Sequence, residues 1–310
     1  MFETSMPVFF IILFSSTVYA QQKADTTVTV GRNIITLSNV VVNNKLNIPS
    51  FINLVKNDTT FYKAFKNLDV LGYTSLNDIR MFGKDGNMKA SLYSKTKQSA
   101  HNGCRWMQIL EQQTTGDMLD DDSNYNYYTE QMYASLFFTK DTICGQNNIV
   151  AGNGFSTENK SGMEAHKEQL KMLFFNPGRK IPGLPFISNK TAIFDDDMAD
   201  KYDMNIDMDE YNKTNCYIFS IKVKPGKEDD VVIDSMVTWF DARTFEVVAR
   251  NYSLNYDAGV YDFNVQMEVQ MTHFENYLIP ALLRYNGNWK VIFKKRETGV
   301  FTATLFDFTN

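Results

Sequence analysis

The chain is poor in the residues that carry most enzyme chemistry. Its 310 residues include three histidines and three cysteines. No C-x-x-C, G-x-S-x-G or H-E-x-x-H pattern occurs, which leaves dithiol redox chemistry, zinc sites, the nucleophile elbow and zincin proteolysis without support. His101 sits in a polar turn before Gly103, and His166 lies on a helix-like stretch beginning near Met163. His273 ends a long alternating run whose parity places it on the apolar face. All three read as structural. A triad gathered from distant positions is not ruled out by order along the chain, because triads are defined by geometry. No enzymatic activity and no cofactor are implied.

An excess of positive charge is also missing. The net charge is -5 and the basic residues are scattered, so there is no phosphate-neutralising footprint and nucleic acid is discarded as a partner. Long hydrophobic runs are missing as well. The apolar segment Pro7 to Phe14 is too short for a span, which takes about 20 apolar residues. It is followed by Val18-Tyr19-Ala20, which fits the small-residue cleavage rule with Gln21 as the new N-terminus. Residues 1–20 therefore read as a signal peptide. Its early region carries Glu3 and no lysine or arginine. The mature chain is expected to be periplasmic or secreted, and not membrane-spanning after cleavage.

In an oxidising compartment two of the three cysteines can pair. Cys104 and Cys144 both flank strand-like segments and are the favoured pair. Cys216 lies in the apolar run Cys216 to Val223 and reads as a buried, inert thiol.

What the chain does have is apolar mass, 44% hydrophobic and 14% aromatic, enough for a real core. Its pattern is mostly period two. From Phe263 to Met271 every odd residue is apolar, while every even one from Asp262 to Thr272 is polar, as in a strand with one face buried. Strand-like runs also cover Ala90 to Lys95, Arg105 to Gln113, Tyr125 to Tyr133, Cys216 to Val223, Val231 to Phe240, Phe245 to Leu254, Ile279 to Tyr285, Trp289 to Lys295 and Val300 to Phe308. Asn286-Gly287 between two of these reads as a hairpin turn. Asp203, Asn205, Asp207 and Asp209 alternate like calcium ligands, but Met208 and Thr214 stand where the loop needs glycine and glutamate. A half-buried strand accounts for them better, and no metal site is expected.

Helical signals are fewer. Phe51, Ile52 and Val55 suit a short helix, and Asp58 reads as the N-cap of a second with Phe61, Phe65 and Leu68 on one face. A third runs from Met163 to Phe175 and stops at Pro177-Gly178. Lys180 to Ile187 is apolar but holds two prolines and a glycine, so it is no central strand.

Trp106, Tyr127, Tyr133, Phe137, Trp239, Phe263, Met267, Met271 and Trp289 fall on strand-like segments. They form either a sheet-helix core or the lining of a groove, and methionine adapts to ligands of irregular shape. They are the candidate ligand-binding residues.

Helices laid against a long antiparallel meander behind a signal peptide resemble the periplasmic lipoprotein-carrier superfamily, the LolA/LolB-like half-barrels. The resemblance is carried by Val231 to Arg250, V-V-I-D-S-M-V-T-W-F-D-A-R-T-F-E-V-V-A-R, where a strand ends in an Asp-led turn and the next departs. The closing run Arg284 to Glu297, R-Y-N-G-N-W-K-V-I-F-K-K-R-E, looks like the last hairpin of envelope proteins of unassigned function. The resemblance implies a concave apolar face, closed by helices, that holds acyl chains or another hydrophobic ligand. It transfers no individual residue role. The expected fold is α+β, a large curled antiparallel sheet (half-barrel) with helices packed on the concave face and residues 21–310 forming a single half-barrel-like domain. The expected partner is a hydrophobic ligand or, if the face is filled, an envelope protein.

Overall fold

In the computed structural model the described residues are 26–44, 46–150, 172–181, 187, 189–257, 261–291 and 295–310. The expectations placed on 1–20, on 163–171 including His166, and on 182–186 fall outside them.

Thirteen strands form one curled, unclosed sheet. Two short strands, β1 (Thr26–Val30) and β2 (Asn33–Leu37), come first. Helices α1 (Asn39–Asn43), α2 (Ile48–Asn57) and α3 (Thr60–Asn67) follow. A meander of β3 (Gly72–Phe82), β4 (Met88–His101) and β5 (Cys104–Gly116) leads to α4 (Tyr128–Phe137) and the two-residue β6 (Ile143–Cys144). The second half is one long meander: β7 (Tyr202–Tyr211), β8 (Thr214–Val223), β9 (Ile233–Asp241), β10 (Val247–Asp257), β11 (Tyr261–Phe274), β12 (Tyr277–Val291) and β13 (Glu297–Thr309). The order across the sheet is β1-β2-β7-β8-β9-β10-β11-β12-β13-β3-β4-β5-β6. β13 thus lies between β12 and β3, and only the β2–β7 pairing is parallel among the described strands.

Alternation decides which face is inside. On β11, Phe263, Val265, Met267 and Val269 are buried while Asn264, Gln266 and Glu268 are exposed. The helices cover that inner face because each carries a matching stripe. On α2 the stripe is Ile48, Phe51, Ile52 and Val55, and Phe51 meets the rings of Tyr217, Phe240 and Phe245 at 5.5 to 6.0 Å. On α3, Phe61 and Phe65 point inward, and the Asn67 amide donates to the Leu278 carbonyl at 2.8 Å. Full burial of one such side chain stabilises the fold by about 1.5–3 kcal/mol, so the helix layer is held mainly by its aromatics.

Three local expectations are corrected. Asn286-Gly287 is no turn, since β12 runs straight through it. The glycine serves close approach instead: a Cβ at Gly287 would lie 2.8 Å from the Asn264 carbonyl oxygen and 3.0 Å from the Tyr285 hydroxyl. The segment Tyr125 to Tyr133 is not a strand, because α4 starts at Tyr128. Spaced tyrosines imitated a period of two, while Met132, Tyr133, Leu136 and Phe137 keep helical spacing. Asp58 is not the N-cap of α3, whose N-cap is Thr59, although the Asp58 carboxylate does accept the Thr60 N–H at 2.9 Å.

Asp203 to Asp209 lie on β7, with Met204 and Ile206 buried between them. Cys104 and Cys144 form a disulfide that ties β6 to β5, and Cys216 is a buried free thiol. Among the described residues no helix is long and apolar enough to cross a membrane.

Candidate functional site

Between the helix layer and the inner face lies an apolar slot. One wall is α4, which contributes Thr129, Met132, Tyr133, Leu136 and Phe137. Phe174 and Phe175 close one side. The floor is the sheet: Met267 from β11, Tyr285 and Trp289 from β12 and Phe301 from β13. The slot is narrow: the free space inside it is about 10 Å³, enough for about one water molecule.

The walls are held by ring packing. Tyr285 and Phe301 stack with centroids 4.6 Å apart, and Tyr133 packs on Phe301 at 4.3 Å. Phe174 meets Trp289 at 5.9 Å, and Phe175 stacks on Phe65 of α3 at 4.2 Å. Polar tips turn away from the slot. The Trp289 indole N–H donates to the Tyr285 hydroxyl, and the Tyr133 hydroxyl donates to Asn77 Oδ1 at 2.8 Å. Behind it Asn77 donates to Ser94 Oγ at 3.2 Å, so the polar stripe on β3 and β4 is satisfied inside the core. Burial pushes the phenols of Tyr133 and Tyr285 up, keeping both neutral.

The position of α4 is set from far along the chain. Tyr127 gives no side-chain cap. The Glu297 carboxylate of β13 accepts the backbone N–H of Tyr128 at 2.9 Å and that of Thr129 at 2.8 Å, together with the Thr129 hydroxyl at 2.8 Å. In the first turn, Glu130 is 0% exposed, and neither of its carboxyl oxygens has a hydrogen-bond partner among the described residues. Burial first, and the Glu297 charge second, push its carboxyl up to about 8.

Of the nominated residues the slot brings together Tyr133, Phe137, Met267 and Trp289. Phe263 is buried behind the floor, packed on Trp289 at 4.9 Å. Tyr127 precedes α4, and its hydroxyl donates to Asp117 outside the slot. Met271 lies farther along β11, past the register shift after Gln270, and is half-buried. Trp106 and Trp239 are corrected to the outer face. Trp106 pairs with Ser99, whose neighbour Gln98 points inward, and Trp239 sits between the buried Thr238 and Phe240 and packs on Tyr211 at 5.1 Å. His273 is corrected too: it is exposed, with Nε2 3.3 Å from Glu246. Strict alternation ends near that end of β11, where Thr272 and His273 are both exposed.

Sequence reasoning missed Thr129, Met132 and Leu136 because α4 read as a strand. It also missed Tyr285 and Phe301, although both fall at inward positions of the alternating runs. Among the described residues no group of three or more histidine, cysteine or acidic side chains is placed to hold a metal.

No known family profile matches the chain, and no curated protein matches it. Similar solved structures include a DUF1329 family protein from Desulfovibrio piger, with 12% identity, a TM-score of 0.26 and coverage of 83% of this chain and 89% of that one. A structure described as a "putative outer membrane lipoprotein-sorting protein domain" from Vibrio parahaemolyticus shows 10% identity, a TM-score of 0.26 and coverage of 80% of this chain and 88% of that one. Lipovitellin shows 7% identity and a TM-score of 0.26 over 77% of this chain and 25% of its own.

Proposed function

We propose that the protein is an exported, non-enzymatic binder of a hydrophobic ligand, a lipid or acyl chain, which enters beneath α4 by widening the slot, since the closed slot has room for about one water molecule. Residues 21–310 act as one half-barrel-like domain behind a signal peptide. The observation that carries the reading is a slot whose facing atoms are apolar, walled by one short helix and aromatic side chains over a methionine of the sheet. Such a wall gives affinity by desolvation alone, at about 25 cal/mol per Å² before the costs of association. Tyr133, Phe137, Met267 and Trp289 are the contacts, with Phe263 supporting Trp289 from behind. The disulfide favours an oxidising compartment such as the periplasm.

The test is extraction and mass spectrometry of lipid from the purified protein, with titration of the fluorescent probe N-phenyl-1-naphthylamine. Leu136→Asp places a charge on a half-buried wall position and is expected to weaken the probe by about tenfold or more with the fold intact by circular dichroism. Lipid-free protein together with equal probe binding by the variant overturns the reading.

The narrowness of the slot favours a second reading, an envelope assembly module with a filled core. Its surface would be β5, exposed on both faces from Gln108 to Gly116 and carrying the exposed Ile109 and Leu110. A protein that never carries lipid and whose partner binding is lost on substitution of Ile109 and Leu110 fits this reading instead.

A further inference from the structure

We propose that Glu130 is a protonation latch on α4: neutral, it lets the helix lie on the slot, and ionised, it loosens the helix and opens the wall. What the opening serves rests on the ligand-binding reading, but the latch itself does not.

Glu130 is fully buried in the first turn of the helix that supplies five residues of the slot's wall. Neither of its carboxyl oxygens finds a donor among the described residues. A buried ionised carboxylate with no donor is among the costliest arrangements in a fold, whereas the protonated acid is tolerated. Among the described residues no cation acts on it. The charged group facing it from β13 is Glu297, a second carboxylate, already occupied by the N–H groups of Tyr128 and Thr129. From the segment before α4 come the phenols of Tyr125, pushed up by burial and then by the Glu130 charge, and of Tyr127, pushed up by burial, then by Asp117, Glu297 and last Glu130. Asp117, after β5, enters through the Tyr127 hydroxyl. Tyr133, on the same helix, is coupled to Tyr125 and is also pushed up. Burial and the Glu297 charge therefore favour the neutral form of Glu130, against the pull of the α4 N-terminus toward an anion.

The direction follows from linkage. The carboxyl titrates near 4.5 when free and at about 8 in the closed helix. The closed state thus holds more protons between these values. Closure is fully supported below the lower value, erodes as pH rises and reaches its weakest level once pH passes about 8.

Backbone hydrogen exchange of Tyr128 to Phe137, expressed as protection relative to β11 and β12 in the same sample, tests this without any ligand. Protection of α4 is expected to fall by at least about tenfold from about pH 5 to about pH 9. Glu130→Gln, of the same shape and always neutral, is expected to hold protection flat. Glu130→Met does the same without a polar group, so the test survives if the glutamine variant fails to fold. A pH-independent wild-type α4, or neutral variants that keep the wild-type pH profile, overturns the latch. Because no lipid or probe enters the measurement, failure of the latch and failure of the ligand reading are separately visible.

Discussion

The carboxylate of Glu297 binds both the backbone N–H and the hydroxyl of Thr129, 168 positions earlier in the chain. A strand thereby supplies the cap that α4 lacks in its own sequence. Charge at a helix N-terminus and satisfaction of its orphan N–H groups act together here.

Glu297→Ala is therefore expected to cost about 1–2 kcal/mol and to raise exchange in α4 before the rest of the sheet. Chemical denaturation with amide exchange measures both. A uniform loss with no preference for α4 would show that the contact does not position the helix. The same variant removes the charge next to Glu130 and is expected to lower that carboxyl's titration from about 8.

The buried pair Asp58 and Arg250 gives a second expectation. Arg250 Nη2 lies 3.4 Å from Asp58 Oδ2, Nε donates to Thr238 at 2.9 Å, and the guanidinium stacks over Phe61 at 4.2 Å. Breaking one side leaves a lone buried charge. Asp58→Asn or Arg250→Met alone is expected to cost about 3–5 kcal/mol, and the double variant should recover part of that loss. Additive losses in denaturant titration would contradict coupling.

Gly287 tests the correction at the centre of β12. Gly287→Ala places a methyl against the Asn264 carbonyl and the Val265 side chain, where a Cβ would stand at 2.8 and 2.9 Å. The expected cost is about 1–3 kcal/mol from overpacking, read as a drop in Tm. An unchanged Tm would mean that the β11–β12 approach can relax.

The disulfide and the free thiol separate under labelling. The bridge spans 40 positions, so Cys104→Ser with Cys144→Ser is expected to cost about 2–4 kcal/mol. Burial, and then the Asp241 charge, push the Cys216 thiol up to about 11. At neutral pH it is both hidden and protonated, so a thiolate-directed reagent should label it only on unfolding. Rapid labelling of the native protein would contradict its placement.

The long alternating runs made the sheet legible from sequence, because β11 buries every second residue over most of its length and any strand with one face in the core must. The resemblance carried by Val231 to Arg250 pointed to the same architecture. The wall of the slot was less legible for a specific reason. Tyr125, Tyr127 and Tyr133 imitate a period of two, and the group that starts α4 is Glu297, which local inspection cannot connect to it. Asn286-Gly287 misled in the opposite way, since a glycine needed for tight packing has the same letter as one needed for a turn. Trp106 and Trp239 were placed outward by strand register, which depends on pairing partners that composition does not reveal.

One feature of connectivity governs how the molecule can be made. β13 is the strand that joins β12 to β3, and it also carries Phe301 of the floor and Glu297 of the helix cap. A ribosome that has released everything up to β12 has therefore produced two unjoined sheets, an uncapped helix and a slot without Phe301 in its floor. Assembly of the slot waits for β13, so a chain that stops short of it carries that slot open and its helix unanchored.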